Sequence, residues 1–365
     1  MKKILNYISA FLFFAFILMF AVSTVLFRNT GSAKDKIREG DTVQKQLQSY
    51  ISSRFPLRNN FRSLYSTVMV GSGQNRLGSI YVDENRLIEI FDKTDEKRIN
   101  NAVGYINSFK EKHKNSAVCA MLVPTASGIY KSQLPSFASA VDQQKLIDDI
   151  YYRLDKSIVT LDAFNPLFAA RDDYIYFRTD SRWTSFGAYA VYKSVIPKLG
   201  FQPVDLSNYY IEYADRSFYG NLYLKTYYGG VSADTINIFR NKNGSYVTGT
   251  EGYKNEQKFT SKSVYYDSAL QSGDKYGIFL NGDQYKKYVV TTSVSSGPDI
   301  LIIKGSYANC MIPLLTPHYR SITLVDLDKL ENETLEDVAD IESYDQILFL
   351  YDIKQFCRSG SFELL

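Results

Sequence analysis

Histidine is nearly missing from this chain. There are two in 365 residues, His113 and His318, alongside three cysteines and one tryptophan. With so few, and none clustered at ligand spacing, a His- or Cys-built metal site is excluded and no cofactor is expected. Cys119, Cys310 and Cys357 are too few for a disulfide framework. An excess of either charge is also missing: 42 Lys and Arg stand against 39 Asp and Glu, a net +3. Without a basic stripe the chain carries no footprint for nucleic acid. It has no internal repeat and no low-complexity tract. Beyond the N-terminus no apolar run approaches the 18 residues of a further membrane span.

What is present is an ordinary globular share of apolar residues, 45 %, with 30 Tyr and 23 Phe. That is enough for a sizeable core, and the length suits two domains or one large one. Ile8 to Phe27 is an uncharged stretch of 20 residues preceded by Lys2 and Lys3. At about 1.5 Å per residue it spans about 30 Å, the thickness of a bilayer core. Positive charge stays cytoplasmic, which puts the body outside. The expected layout is a cytoplasmic tip and transmembrane anchor over 1–29, a linker over 30–44, and an extracytoplasmic domain over 45–365. A cleaved signal peptide ending near Gly31-Ser32-Ala33 is the alternative.

Along the body, Asp41–Tyr50 and Leu57–Val70 read as helical, interrupted by Pro56. Ser79–Val82 and Leu87–Phe91 read as a hairpin turning at Asp83-Glu84-Asn85. Helices are expected over Asp95–Lys112, Asp142–Asp155 and Ser185–Leu199, with a short one at Met311–Leu315. Strands are expected at Ala117–Val123, Ser157–Leu161, Tyr174–Phe177, Gly277–Leu280, Asp299–Ile303, Ile322–Val325 and Gln346–Leu350. Residues 200–275, rich in Tyr, Gly, Asn and Thr, read as an irregular β-rich insertion. The alternation predicts an α/β fold with a mainly parallel sheet flanked by helices.

Two segments can carry chemistry. In Asp299-Ile-Leu-Ile-Ile-Lys304-Gly305-Ser306-Tyr307-Ala308-Asn309 a buried strand runs into a small-residue turn. Ser306 then stands at the carboxyl edge of the sheet, where ligands bind and a hydroxyl can attack with backbone donors nearby. A plain helix cap is the structural alternative. In Tyr174-Ile-Tyr-Phe-Arg178-Thr-Asp180-Ser181-Arg182-Trp183-Thr184-Ser185 a strand ends in a polar turn. There Thr184 or Ser185 can cap a helix, and Asp180 can pair with Arg178 or Arg182.

Together these segments resemble the DHHW family, related to the alginate O-acetyltransferase proteins AlgX and AlgJ within the SGNH hydrolase-like superfamily. The name motif Asp-His-His-Trp is here Asp180-Ser181-Arg182-Trp183, followed by Thr184-Ser185-Phe186-Gly187-Ala188-Tyr189. The serine turn, commonly Asp-Ser-Tyr-Ala-Asn, is here Gly305-Ser306-Tyr307-Ala308-Asn309. Arg54-Phe55-Pro56-Leu57-Arg58, Pro124-Thr125-Ala126 and Phe218-Tyr219-Gly220 agree as well.

The resemblance implies an SGNH-like fold and acyl chemistry on sugars, with Ser306 as nucleophile and Asp180 as orienting acid. The base position falls on Arg182, which stays protonated and cannot accept a serine proton. Neither histidine is placed to serve: His113 is expected on a solvated helix end, and His318 lies twelve residues past Ser306. Gly305 replaces the family's Asp, and Asn281-Gly282-Asp283 lacks the Asn and His of a Gly-Asn-His segment. Lys304 is the remaining thinkable base. The expectation is therefore a catalytically degenerate protein of polysaccharide O-acetylation. It would bind glycan or a multi-spanning membrane O-acyltransferase, with Trp183, Asn309, Asn281 and Tyr219 as binding residues. An active O-acetyltransferase or esterase using Ser306, and an envelope scaffold, are the alternatives.

Overall fold

The computed structural model describes residues 2–26, 57–135, 138–244, 246–254 and 257–365. The expected linker, the Asp41–Tyr50 helix and Arg54-Phe55-Pro56 lie outside these. The chain divides into two compact units. The first takes in residues up to 74 with 226–230. It contains the helix Lys2–Leu26, whose side chains from Phe11 to Met19 are largely exposed, and the helix Arg58–Gly71. Within this unit Ser66 Oγ donates to the Thr226 carbonyl (2.6 Å). Among the described residues no helix is long and apolar enough to cross a membrane.

The second unit, residues 75–225 and 231–365, holds the sheets. β1 (Arg76–Leu77), β2 (Ile80–Asp83) and β3 (Arg86–Glu89) form a small antiparallel sheet, with Glu84 at positive φ in the expected turn. The large sheet is built from β4 (Ala117–Val123), β5 (Val159–Asp162), β8 (Val247–Lys254), β9 (Gln257–Ser261), β10 (Lys287–Thr292), β11 (Asp299–Lys304), β12 (Ser321–Val325) and β13 (Gln346–Asp352). Its order is β5-β4-β13-β11-β12-β10-β8-β9. The first five strands are parallel, and β10, β8 and β9 continue the sheet antiparallel. β6 (Tyr209–Phe218) and β7 (Asp234–Asn241) make a separate ribbon.

The central strands are apolar on both faces because both faces are covered. Alternation sorts them into two cores. Cys119, Met121 and Val123 of β4 join Ile300, Ile302, Leu348 and Leu350 on one side. Val118, Ala120 and Leu122 join Leu301, Ile303, Ile347 and Phe349 on the other. Asp95 and Asp142 cap the helices Glu96–Lys112 and Gln143–Arg153 through the amides of Arg98 and Lys145.

The 200–275 segment is β-rich, and its β8 and β9 extend the main sheet through β10. Two expectations need correcting. Gly277–Leu280 is not a strand: a 3-10 turn covers Lys275–Ile278, and Leu280 and Asn281 take positive φ, which no strand allows. Tyr174–Phe177 makes only a single bridge, Tyr176 to Trp183, because the chain folds straight back on itself there. Thr184 N donates to the Ile175 carbonyl (2.9 Å), and the helix Ser185–Val195 starts at once.

That return is tight enough to demand glycine. A Cβ on Gly187 would stand 2.3 Å from the Ile175 carbonyl oxygen. Gly187→Ala is expected to cost about 1–3 kcal/mol, the usual penalty of overpacking. A lowered urea midpoint with unchanged slope checks it; an unshifted midpoint contradicts it.

Candidate active site

Parallel strands bring their carboxyl ends to one edge, and three of them build the site there. β11 ends at Lys304 and passes through Gly305 to Ser306, the first residue of a 3-10 turn over Ser306–Cys310. Gly305 holds the cap position and no side chain caps the turn, so Ser306 is free of the capping role. Its hydroxyl finds no hydrogen-bond partner among the described residues, while its amide donates to Gln355 Oε1 (3.2 Å). β4 leads into Thr125, and β13 ends on Asp352, which caps the helix Ile353–Arg358.

The Asp180–Trp183 turn locks against the serine turn. Trp183 Nε1 donates to the Tyr307 carbonyl (2.8 Å), and the Tyr307 hydroxyl donates to the Ser181 carbonyl. The rings of Trp183 and Tyr307 lie 5.6 Å apart. The two segments singled out in the sequence therefore meet. Thr184 caps the following helix through the Gly187 amide (3.2 Å).

Arg182 is not among the residues that line the cavity at Ser306. Its guanidinium grips Asp180 at two points, Nε to Oδ1 at 2.7 Å and Nη2 to Oδ2 at 2.8 Å, and lies 3.5 Å over the Tyr276 ring. The Asp180 carboxylate also accepts the amides of Arg182 (3.0 Å) and Asn221 (2.9 Å). Burial alone would raise this carboxyl, but the Arg182 charge and those donors more than offset it and hold it below the usual range. Gly220 is bare of necessity, since a Cβ there would stand 2.3 Å from the Asp180 Cβ. That accounts for Phe218-Tyr219-Gly220.

Lys304 and Asn309 belong to another buried cluster. Lys304 Nζ donates to Asp283 Oδ1 (2.7 Å) and Asn309 Oδ1 (2.8 Å), and Asn309 Nδ2 donates to the same Asp283 oxygen (2.8 Å). Asn281 bonds the Tyr285 hydroxyl (2.9 Å), and Tyr219, partly exposed, packs on Tyr223 at 4.3 Å. His113 is buried rather than solvated, because Glu342 (2.7 Å) and Glu336 (3.3 Å) close over it. His318 is buried against the Tyr192 hydroxyl (2.8 Å), and burial drives it down to about 4.

A cavity of about 260 Å³ opens at the sheet edge, lined by Ser306, Tyr307, Thr125, Ser181, Asp352 and Lys354 among others. Of the residues expected to act, Ser306 lines it. Asp180, Arg182, Trp183, Asn309, Asn281 and Tyr219 stand outside its wall. Lys354 is ion-paired with Glu89 (2.5 Å). Asp352 has no ion pair among the described residues. Burial lifts its carboxyl to about 6 against the downward pull of the Gln355 amide on Oδ1 (3.0 Å).

The sequence of residues 64–325 matches the model of the DHHW protein family. This chain belongs to the DHHW family. Among solved structures, this DHHW protein resembles a DHHW family protein from Eubacterium siraeum. Identity is 23 %, with 78 % of this chain and 93 % of that chain covered at a TM-score of 0.67. Bacillus cereus PatB1, solved with a sulfonyl adduct, is 16 % identical over 78 % of this chain and 98 % of its own, TM-score 0.68. The O-acetyltransferase domain of Pseudomonas putida AlgJ is 11 % identical over 77 % of this chain and 94 % of its own, at a TM-score of 0.46. The first two share the fold. No curated protein matches the chain.

Sequence reasoning missed Asp352, Gln355 and Asn221. The strand-end rule that picked Ser306 applies equally to Asp352, one strand away, and would have found it. Asn221 carries no such signal.

Two predictions follow from these contacts. Asp180→Ala strands the buried Arg182 charge and is expected to cost about 3–5 kcal/mol, read by urea denaturation. An effect below 1 kcal/mol contradicts the buried pairing. Asp352 has a folded value raised from 3.8 to about 6, so its stabilising contribution is full below pH 4 and is lost as pH rises through 6. At 1.36 kcal/mol per unit the loss is about 3 kcal/mol. Asp352→Asn should therefore be more stable than wild type above pH 7, with the gap closing near pH 4. A pH-independent difference contradicts this.

Proposed function

We propose that this DHHW protein acts in the O-acetylation of an extracytoplasmic polysaccharide, and that the acyl ester or its sugar is held in the Ser306 cavity. One observation carries the reading. Among the described residues Ser306 presents an unpartnered hydroxyl to a cavity at the carboxyl edge of a mainly parallel sheet, where α/β proteins handle ligands. The family and the likeness of its fold to PatB1 support it. An SGNH-like description of the fold belongs to the same reading. The histidine-driven form of ester chemistry is absent, because Arg182 fills the base position and is spent on Asp180.

The uncharged run Ile8–Phe27 supports an N-terminal membrane anchor with the body outside. A multi-spanning membrane O-acyltransferase is the partner such a body would serve. A second reading, binding without turnover, is favoured by Gln355: its Oε1 already occupies the Ser306 amide that would hold an oxyanion.

Calorimetric titration of the full-length chain in detergent tests the reading. An O-acetylated oligosaccharide should bind at least tenfold more tightly than its saponified counterpart. Equal affinity for the two, or no binding of either, contradicts it.

A further inference from the structure

The Ser306 cavity holds no histidine, yet it holds one carboxyl that no ion pair neutralises among the described residues. We propose that Asp352 is the proton acceptor of Ser306, so that the lost histidine is replaced from the neighbouring strand and not from the Asp180–Arg182 turn. This rests on the reading of Ser306 as the residue that meets the acyl group.

Register places the two side chains together. β11 and β13 run parallel, with Lys304 paired to Leu350, and the Gly305 amide continues the ladder onto the Leu350 carbonyl (2.8 Å). Ser306 and Asp352 each follow that pair by two residues. They therefore leave neighbouring parallel strands at the same level, at the edge where the cavity opens. Both line the cavity. The Gln355 amide donates to Asp352 Oδ1 (3.0 Å), and the Lys354 amide also draws on this carboxylate.

The other candidates are committed elsewhere. Lys304 is buried between Asp283 and Asn309, Lys354 is paired with Glu89, and Arg182 is clamped on Asp180. Around Asp352 stand Lys354 and Cys357 from its own helix, Glu89 from β3, and the hydroxyls of Tyr176 and Tyr307. Burial pushes the Cys357 thiol to about 12 and both tyrosines well above their usual value. The Glu89 carboxyl, flanked by Lys354 and Lys225, is held low despite its burial. Of these groups Asp352 is the one lifted to about 6, basic enough to share a serine proton near neutrality.

In the proposed step Ser306 Oγ attacks the carbonyl carbon of an acetyl ester. The Oγ–C bond forms and the hydroxyl proton passes to the Asp352 carboxylate. The C–O bond to the leaving alcohol then breaks, and that alcohol takes the proton from Asp352. A sugar hydroxyl or water next attacks acetyl-Ser306. Its proton passes through Asp352 to Ser306 Oγ as the Oγ–C bond breaks. Gln355 must swing aside for the Ser306 amide to hold the oxyanion.

The test is p-nitrophenyl acetate turnover by the full-length chain in detergent, between pH 4.5 and 9, corrected for spontaneous hydrolysis. Wild type should show kcat/KM rising to a plateau through about pH 6, and Ser306→Ala should abolish it. Asp352→Asn, which keeps the helix cap, should lose that limb and fall about 100-fold at pH 7. Asp352→Glu should recover part of the rate, and Lys354→Met, which removes a charge that lowers the Asp352 carboxyl, should shift the limb to higher pH. A wild-type limb in Asp352→Asn, or a limb that stays in place in Lys354→Met, overturns the proposal. So does absence of Ser306-dependent turnover in a chain that still binds the acetylated oligosaccharide, an outcome that leaves the functional reading standing. Loss of both binding and turnover sinks the two together.

Discussion

The two-point grip of Arg182 on Asp180 is the constraint around which the site is arranged. Both groups are buried, and each would be costly alone. Paired, they satisfy each other, and the amides of Arg182 and Asn221 complete the carboxylate. A Cβ at position 220 has no room beside this pair. The turn so fixed aims Trp183 at the Tyr307 carbonyl and presents the Ser181 carbonyl to the Tyr307 hydroxyl. The serine turn is thus held through Tyr307, the residue next to Ser306.

The chemistry left over lies one step further into the sheet. Parallel strands end at a common edge, so side chains far apart in sequence arrive at one cavity without any loop having to deliver them. Thr125 comes from β4, Ser306 from β11 and Asp352 from β13. This edge depends on strand register and not on the Asp180–Arg182 turn. The buried trio Asp283–Lys304–Asn309 fastens the far side of the serine turn and keeps the Lys304 charge from the cavity.

Much of this was legible in the sequence, for identifiable reasons. Ala117–Val123 and Asp299–Ile303 announce themselves as unbroken apolar runs that only a sheet covered on both faces tolerates. The two turns were linked by the family resemblance, and the partner of Asp180 was legible only as Arg178 or Arg182, of which the structure shows Arg182. The limits are equally physical. Gly277–Leu280 has a strand's composition but closes a turn at positive φ, which composition does not encode. β10 was passed over because Lys287 and two threonines dilute its apolar pattern. His113 looked solvated among lysines because the glutamates that bury it are more than 200 residues away. Asp352 needed the register of β11 on β13 before its place beside Ser306 could be seen.

The central claim is that Ser306 is reactive at the cavity on the carboxyl edge of the sheet. The most direct measurement is the intact mass of the full-length chain after treatment with phenylmethanesulfonyl fluoride, followed by peptide mapping. A single sulfonyl adduct on Ser306, absent from Ser306→Ala, is the result expected. No adduct, or one confined to other residues, would contradict the account.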